Sequence, residues 1–451
     1  MSAAETAAAP RTFFGEPPAL AYLAFTETWE RFSYYGMTSL LVLYMSSALF
    51  LPGHVEHIAG FTAFRGGLEA VFGPMSTLAL ASQVYGLYTA MVYFTPIFGG
   101  LIADRLIGRR RAVMLGAVLM SAGHFAMAFD QSFLLALTLL VTGCGLLKGN
   151  ISTQVGQLYS EDDIAGRARG FSIFSMGINV GAVAGPIACG YLGVHYGWHW
   201  GFGLAGILML LGLATYVAGY RLLTETIVRH PEARKEPITP AQWRIIAALF
   251  GVMALTVFQS VAYYQNSNMG LIWERSHLDL NAFGFTIPTP WFPAVNSFVS
   301  ILMVPVLLAL WAWQEKRGHG PGELIKMATG AFITVGANLV LALASLIPAP
   351  VSPLFAVLYE ALLGFGFLYY WPTLLALVSR LAPPSLKATL MGCAFLTLSV
   401  SNMIIGRLGG LYEHISSASF WSMEAAVALV GGVLALLLKR PLEKMLKTNA
   451  S

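Results

Sequence analysis

Glu27, Glu30 and Arg31 stand inside the first long apolar stretch of the chain, within the run Phe25 to Met37. In a helix they share one face with Tyr34, Tyr35 and Thr38, because neighbours on a helix surface recur three and four positions apart. Carboxylates beside a guanidinium can hold, exchange and release protons. If this helix crosses a bilayer, each charged group costs roughly 2.5 to 3.5 kcal/mol near the midplane on insertion scales. The pattern therefore reads as a proton and ion relay facing a water-filled path.

Lys148 is a second buried-charge candidate, in Gly143-Cys144-Gly145-Leu146-Leu147-Lys148-Gly149-Asn150. A glycine-rich run ending in lysine has the look of a phosphate loop, but no Ser or Thr follows, and the run lies in an apolar helix rather than after a strand. A lysine inside such a helix needs an anion: Glu27, Glu30 or the carboxylate of a bound solute. Asn179 projects from a different face than Gly177, Gly181 and Gly185 and can hydrogen-bond a solute. The glycines themselves have the spacing of close helix packing. His54-Val55-Glu56-His57 lacks the third and fourth ligands of a metal site, so no metal is expected there.

The elements that carry these residues follow from composition. With 451 residues, 57% hydrophobic and only 11% charged, the chain departs from soluble proteins, where about a quarter of residues are charged. It reads as an all-α integral membrane protein. Apolar runs long enough to span, roughly 20 residues each, fall near 20–50, 77–104, 112–129, 133–158, 170–194 and 200–220, then 243–270, 291–313, 324–347, 353–382, 386–410 and 417–440. Twelve transmembrane helices thus form two six-helix bundles, 19–221 and 243–440, joined by a polar linker at 222–242 that contains Arg229, His230, Pro231, Arg234 and Lys235. Two such halves suggest rocking around a central cavity.

Most of the 26 Lys and Arg fall in the tail and loops on the linker side, which places that side and both termini in the cytoplasm. This distribution accounts for the net charge of +4 without an acidic partner, and no nucleic acid is expected. Residues 1–18 lack the apolar core and cleavage site of a signal peptide and read as a disordered cytoplasmic tail; 441–451 is a second tail. Cys144, Cys189 and Cys393 lie in apolar segments as packing residues. There is no nucleophile elbow, no His/Cys metal spacing and no nucleotide fingerprint, so neither an enzyme nor a cofactor is expected.

Gly99-Gly100-Leu101-Ile102-Ala103-Asp104-Arg105, followed by Arg109, Arg110 and Arg111, resembles the loop between helices 2 and 3 of the major facilitator superfamily. Asp104 at a helix end, with Arg105 and the arginine cluster, forms an ion-paired inner gate in this reading. Further matches accumulate: Glu27-x-x-Glu30-Arg31-Phe32 with Tyr34-Tyr35-Gly36-Met37, Tyr93 ahead of the Asp104 loop, Lys148, and Phe174-Ser175-Met176-Gly177-Ile178-Asn179-x-Gly181. Together they resemble the proton-dependent oligopeptide transporter family of that superfamily, over residues 20–440.

The resemblance implies that Glu27 and Glu30 couple protons, with Arg31 as their charge partner. Lys148 would pair with Glu27 or a peptide carboxylate, and Tyr34, Tyr35, Tyr93 and Asn179 would line the peptide site. It also implies a multi-pass monomer in a cell membrane, the bacterial inner membrane, driven by a proton gradient, with short peptides, protons and lipid as partners. The second half departs from the family pattern. Gln259 stands where a tryptophan is usual, no acid lies near Tyr263, Phe367 takes the place of an acid five residues before Pro372, and Ala394 replaces another tryptophan. Thr38 stands where related bacterial proteins often have arginine, whereas Asn296 matches. Gln259, Tyr263 and Asn296 are carried as substrate-site positions. Glu360, two turns outward from Phe367, is the candidate to receive a substrate amine. The expected function is proton-coupled symport of di- and tripeptides into the cytoplasm by alternating access. The alternative is a non-peptide organic anion or other small solute carried in the same fold, recognised by the surviving cations.

Overall fold

An apolar chain in lipid must satisfy its backbone polar groups internally, and helices do so within each segment. The computed structural model describes residues 12–160, 162–223, 238–282 and 284–446, and nearly all of them are helical. The first half contains α1 (Pro18–Tyr44), α2 (Thr77–Phe94), α3 (Arg109–Ala126), α4 (Phe133–Gln157), α5 (Ile164–His195) and α6 (Trp198–Gly219). The second contains α7 (Pro240–Tyr264), α8 (Phe292–Lys316), α9 (Glu323–Ala344), α10 (Leu354–Leu381), α11 (Lys387–Gly409) and α12 (Ser417–Leu437).

Ten of these helices, with their short extensions, are apolar enough to read as membrane spans by themselves. The two that are not, α1 and α3, are the charged ones. Glu27, Glu30 and Arg31 lower the hydropathy of α1, and Arg109, Arg110 and Arg111 open α3. α1 is largely buried, packed on α5 and α6, whereas α3 packs on α4 and α6 and leaves Leu115, Val118 and Phe125 exposed. In the second half α9 packs on α10 and α12, and α7 on α11 and α12.

Local signals set the helix ends. Thr239 and Gln242 form a reciprocal capping box at the start of α7, with Pro240 in its first turn, where a missing N–H costs nothing. Asp163 Oδ1 accepts from the Gly166 N–H at 2.8 Å, so α5 begins at Ile164 rather than near 170. Pro96 interrupts α2, because it cannot donate to the helix ladder. The chain continues as a short helix, Pro96–Ile102, and a π turn, Ala103–Ile107. Gly108, at φ +81°, then makes the corner into α3.

The halves touch through α2 on α11 and α5 on α8. A Cβ on Gly86 would stand 2.5 Å from the Asn402 carbonyl oxygen and 2.6 Å from the Gly406 Cα. Ser82 Oγ donates to the Gly406 carbonyl at 3.0 Å. The charge asymmetry makes these the outer halves of both helices, so the outer side is sealed.

Three regions differ from the sequence expectation. The outer stretch after α1 contains a helix, Phe61–Phe72, and the α7–α8 connection contains a helix, Met269–His277, and a two-stranded hairpin pairing Asn281–Ala282 with Phe285–Thr286. Segments this short carry no spanning apolar run. The tails are also structured where described: Glu16 is buried and pairs with Arg169 at 2.6 Å, and Lys439–Leu446 is a helix against α7. Within the expected linker, residues 224–237, including Arg229, His230, Arg234 and Lys235, lie outside the described residues, as do 1–11 and 447–451.

Candidate functional site

The glycine stripe of α5 sets the depth of α1. A Cβ on Gly181 would stand 2.5 Å from the Thr28 carbonyl oxygen and 2.8 Å from the Arg31 Cβ, so the two helices meet backbone to backbone. Glu27, Glu30 and Arg31 are all buried. Arg31 Nε lies 2.9 Å from Glu27 Oε1 and 2.5 Å from Glu30 Oε2. One cation therefore serves two carboxylates. Their other oxygens, Glu27 Oε2 and Glu30 Oε1, have no hydrogen-bond partner among the described residues, and each is a place where a proton can attach.

Lys148 comes from α4, and Tyr93 from the last turn of α2. The Lys148 Nζ lies 4.2 Å from the centre of the Tyr93 ring, a cation–π placement. It forms no ion pair with either glutamate among the described residues, and both carboxylates sit on Arg31 instead. The pairing expected with Glu27 is thus not made in this state. Two carboxylates, one guanidinium and one ammonium sum to zero. Glu27, Glu30 and Arg31 are buried and Lys148 is half-buried, and a group of this kind tolerates one further charge poorly.

Beside this cluster a cavity opens between the halves. The first half lines it with Tyr34, Tyr35, Tyr93 and Asn179, the second with Tyr263 and Asn296. Tyr93 and Tyr264 approach across the halves, ring centres 6.3 Å apart. Tyr263 donates its hydroxyl proton to Asn296 Oδ1 at 3.0 Å and packs on Phe367 with ring centres 5.2 Å apart. Phe367, where an acid was looked for, lines the cavity with a phenyl ring. Sequence reasoning missed Tyr85, Asn266, Ser267 and Asn402 as lining residues. Their signal was available: Asn266 and Ser267 belong to the polar run Gln265–Asn268 that ends an apolar span, and Asn402 is an amide within another, groups that need a partner or a water-filled space.

Several expected site residues lie elsewhere. Gln259 is buried with its Nε2 donating to Thr334 Oγ1 at 3.3 Å, so it faces α9 and does not line the cavity. Glu360 does not line it either. It is fully buried behind Asn266, whose Nδ2 donates to Glu360 Oε2 at 3.2 Å. Lys148 stands one ring below the cavity, behind Tyr93. In the expected gate, Asp104 pairs with Arg109 at 2.9 Å, while Arg105 is exposed. The π turn brings Asp104 round to the start of α3, which makes Arg109 its neighbour. His54 of the outer loop hydrogen-bonds Asp130 Oδ2 at 2.7 Å.

Comparison with known proteins adds identity to this geometry. The POT family profile matches residues 110–236 and 227–424. A di-/tripeptide transporter of Lactococcus lactis subsp. cremoris is 30% identical, the match covering 97% of this chain and 98% of the relative. The peptide transporter YePEPT of Yersinia enterocolitica is 30% identical over 89% of each chain. Among solved structures, a variant of the peptide transporter POT in complex with alafosfalin superposes with a TM-score of 0.85 at 27% identity, covering 97% of this chain and 98% of that one. A POT family transporter in complex with 5-aminolevulinic acid gives 0.82 at 25% identity, covering 96% and 98%.

Proposed function

Because this chain belongs to the POT family of transporters, we infer that it is a secondary transporter that imports di- and tripeptides together with protons. The observation that carries the coupling is the Arg31 guanidinium held between Glu27 and Glu30, with Lys148 against the Tyr93 ring and in no ion pair with either glutamate among the described residues. A peptide carboxylate drawn to Lys148 adds a negative charge to a buried group that is already balanced. Protonating Glu27 or Glu30 removes one, so peptide and proton enter the site together. Deprotonation reverses the balance and favours release.

The amine end of a peptide would rest among Asn266, Asn296 and the tyrosine hydroxyls, in place of a carboxylate. The Asp104–Arg109 pair would belong to the inner gate, and the α2–α11 contact to the outer one. Alternating access then follows from closing one while the other parts. The two halves, 19–221 and 243–440 in sequence, would be the moving bodies. The relatives support a multi-pass membrane protein, which this reading places in the bacterial inner membrane, and the reading needs one chain, no cofactor and no chemical step on the substrate.

Counterflow of labelled dialanine against unlabelled competitors tests the substrate class. Dialanine and trialanine should compete, and blocking either terminus should weaken competition. If amine-blocked and unblocked peptides compete equally, while simple organic anions compete better than both, the anion reading replaces this one.

A further inference from the structure

Three glutamates of the second half are buried with no ion-paired cation among the described residues. Glu274 sits on the short outer helix Met269–His277, Glu360 on α10 and Glu424 on α12, and each is 0% exposed. Glu360 accepts from Asn266, and Glu424 accepts from Gln265 Nε2 at 3.0 Å. Among the described residues neither oxygen of Glu274 has a partner, nor does Glu424 Oε2, while Glu360 also has Asn296 beside it. The Tyr359 hydroxyl is likewise buried and unpartnered, and it stands close enough to feel the charge of all three carboxylates.

The cations on neighbouring elements are engaged elsewhere. Arg275 faces the Trp198 ring at 6.0 Å and Arg407 the Phe72 ring at 6.0 Å. His277 stacks on Trp273 with ring centres 5.1 Å apart. Tyr263 is bonded to Asn296, and Tyr412 lies against Ser276 and Ser417. An isolated buried carboxylate costs several kcal/mol to ionise, and a like charge nearby, as Glu360 is to Glu274, adds to that cost. Burial, and then the charge of Glu360, hold the Glu274 carboxyl well above the usual carboxylate range.

The cluster also has two connections. Towards the cavity, Glu360 meets Asn266, a lining residue. Towards the outer seal, Gln265 joins Glu424 to Asn268, whose Nδ2 donates to Gln265 Oε1 at 3.2 Å and to Ser82 Oγ at 2.8 Å. Ser82 in turn holds Gly406 across the α2–α11 contact. Parting the seal breaks this chain and admits water.

We propose that Glu274, Glu360 and Glu424 form a second proton-binding site, loaded from outside when the α2–α11 seal opens and emptied into the cavity past Asn266 when it closes. On loading, a hydronium ion gives its proton to a cluster carboxylate and leaves as water. On release, the carboxylic acid returns the proton to cavity water and becomes a carboxylate again. Asn266 thereby reports the charge of Glu360 to the amine end of a bound peptide.

This inference rests on the proton-symport reading and needs a test that separates the two. In liposomes clamped at zero potential with the outside one pH unit more acid, each coupled proton multiplies dialanine accumulation about tenfold, since one unit corresponds to 1.36 kcal/mol. Glu274→Gln and Glu424→Gln, which keep side-chain size, are compared with wild type, with counterflow measured in parallel. The expected result is accumulation about tenfold below wild type, counterflow unchanged, and no effect of replacing sodium by choline. Wild-type accumulation in both variants, loss of counterflow in both, or dependence on sodium would overturn the proton site. Failure of wild type itself to accumulate dialanine would instead refute the symport reading.

Discussion

Replacing Glu30 by Gln removes one negative charge from the α1 cluster and keeps its shape. In wild type, a zwitterionic peptide entering with a proton on this cluster carries one net positive charge inward. At 100 mV, negative inside, that charge contributes about 2.3 kcal/mol, or roughly fifty-fold accumulation. Glu30→Gln leaves Arg31 with Glu27 alone, at 2.9 Å, and Lys148 without a balancing carboxylate. The buried group is then positive before substrate arrives. A peptide carboxylate neutralises it with no proton, so the peptide binds more tightly and crosses uncoupled from this site. The expected loss is therefore roughly fifty-fold in accumulation at 100 mV relative to wild type, together with a lower half-saturation concentration and retained counterflow. Labelled dialanine uptake into liposomes under a potassium diffusion potential measures all three. Accumulation equal to wild type would refute the charge-balance reasoning. So would a raised half-saturation concentration, because it would mean that Glu30 attracts substrate instead of opposing it.

Lys148→Gln removes the cation against the Tyr93 ring and should raise the half-saturation concentration for dialanine by roughly 10- to 150-fold, the worth of about 1.5–3 kcal/mol for a charged hydrogen bond. A carboxyl-blocked peptide should lose little, which direct binding would check. Gly181→Val drives methyl groups into the Thr28 carbonyl and the Arg31 Cβ and should cost about 1–3 kcal/mol, seen as a lower Tm in detergent. Gln259→Leu, at a residue that faces Thr334, should leave dialanine half-saturation unchanged; a large rise in counterflow assays would place Gln259 back at the cavity.

The sequence showed the spans through their length, and it showed the α1 cluster because three charges in an apolar run have few harmless explanations. Tyr34, Tyr35, Tyr93 and Asn179 were legible through local motifs. The second half was harder. Gln259 and Glu360 were placed by offset along their helices, yet side-chain direction decides the site. The Gln259 amide turns to Thr334, and Glu360 stops at Asn266. The Lys148 contact with Tyr93 joins helices far apart in sequence, so no spacing rule could give it. Asp104 chose Arg109 over Arg105 because a π turn, invisible in the residue pattern, rotates the chain end. The helix carrying Glu274 was too short to register as an apolar run, which hid the acidic cluster that its fold completes.

The most direct test of the account is uptake of labelled dialanine into liposomes holding the purified full-length protein, with an acid exterior and a negative interior, with and without an uncoupler. The account predicts accumulation above the external concentration that the uncoupler abolishes. Uptake that merely equilibrates, or accumulation indifferent to the uncoupler, would contradict it.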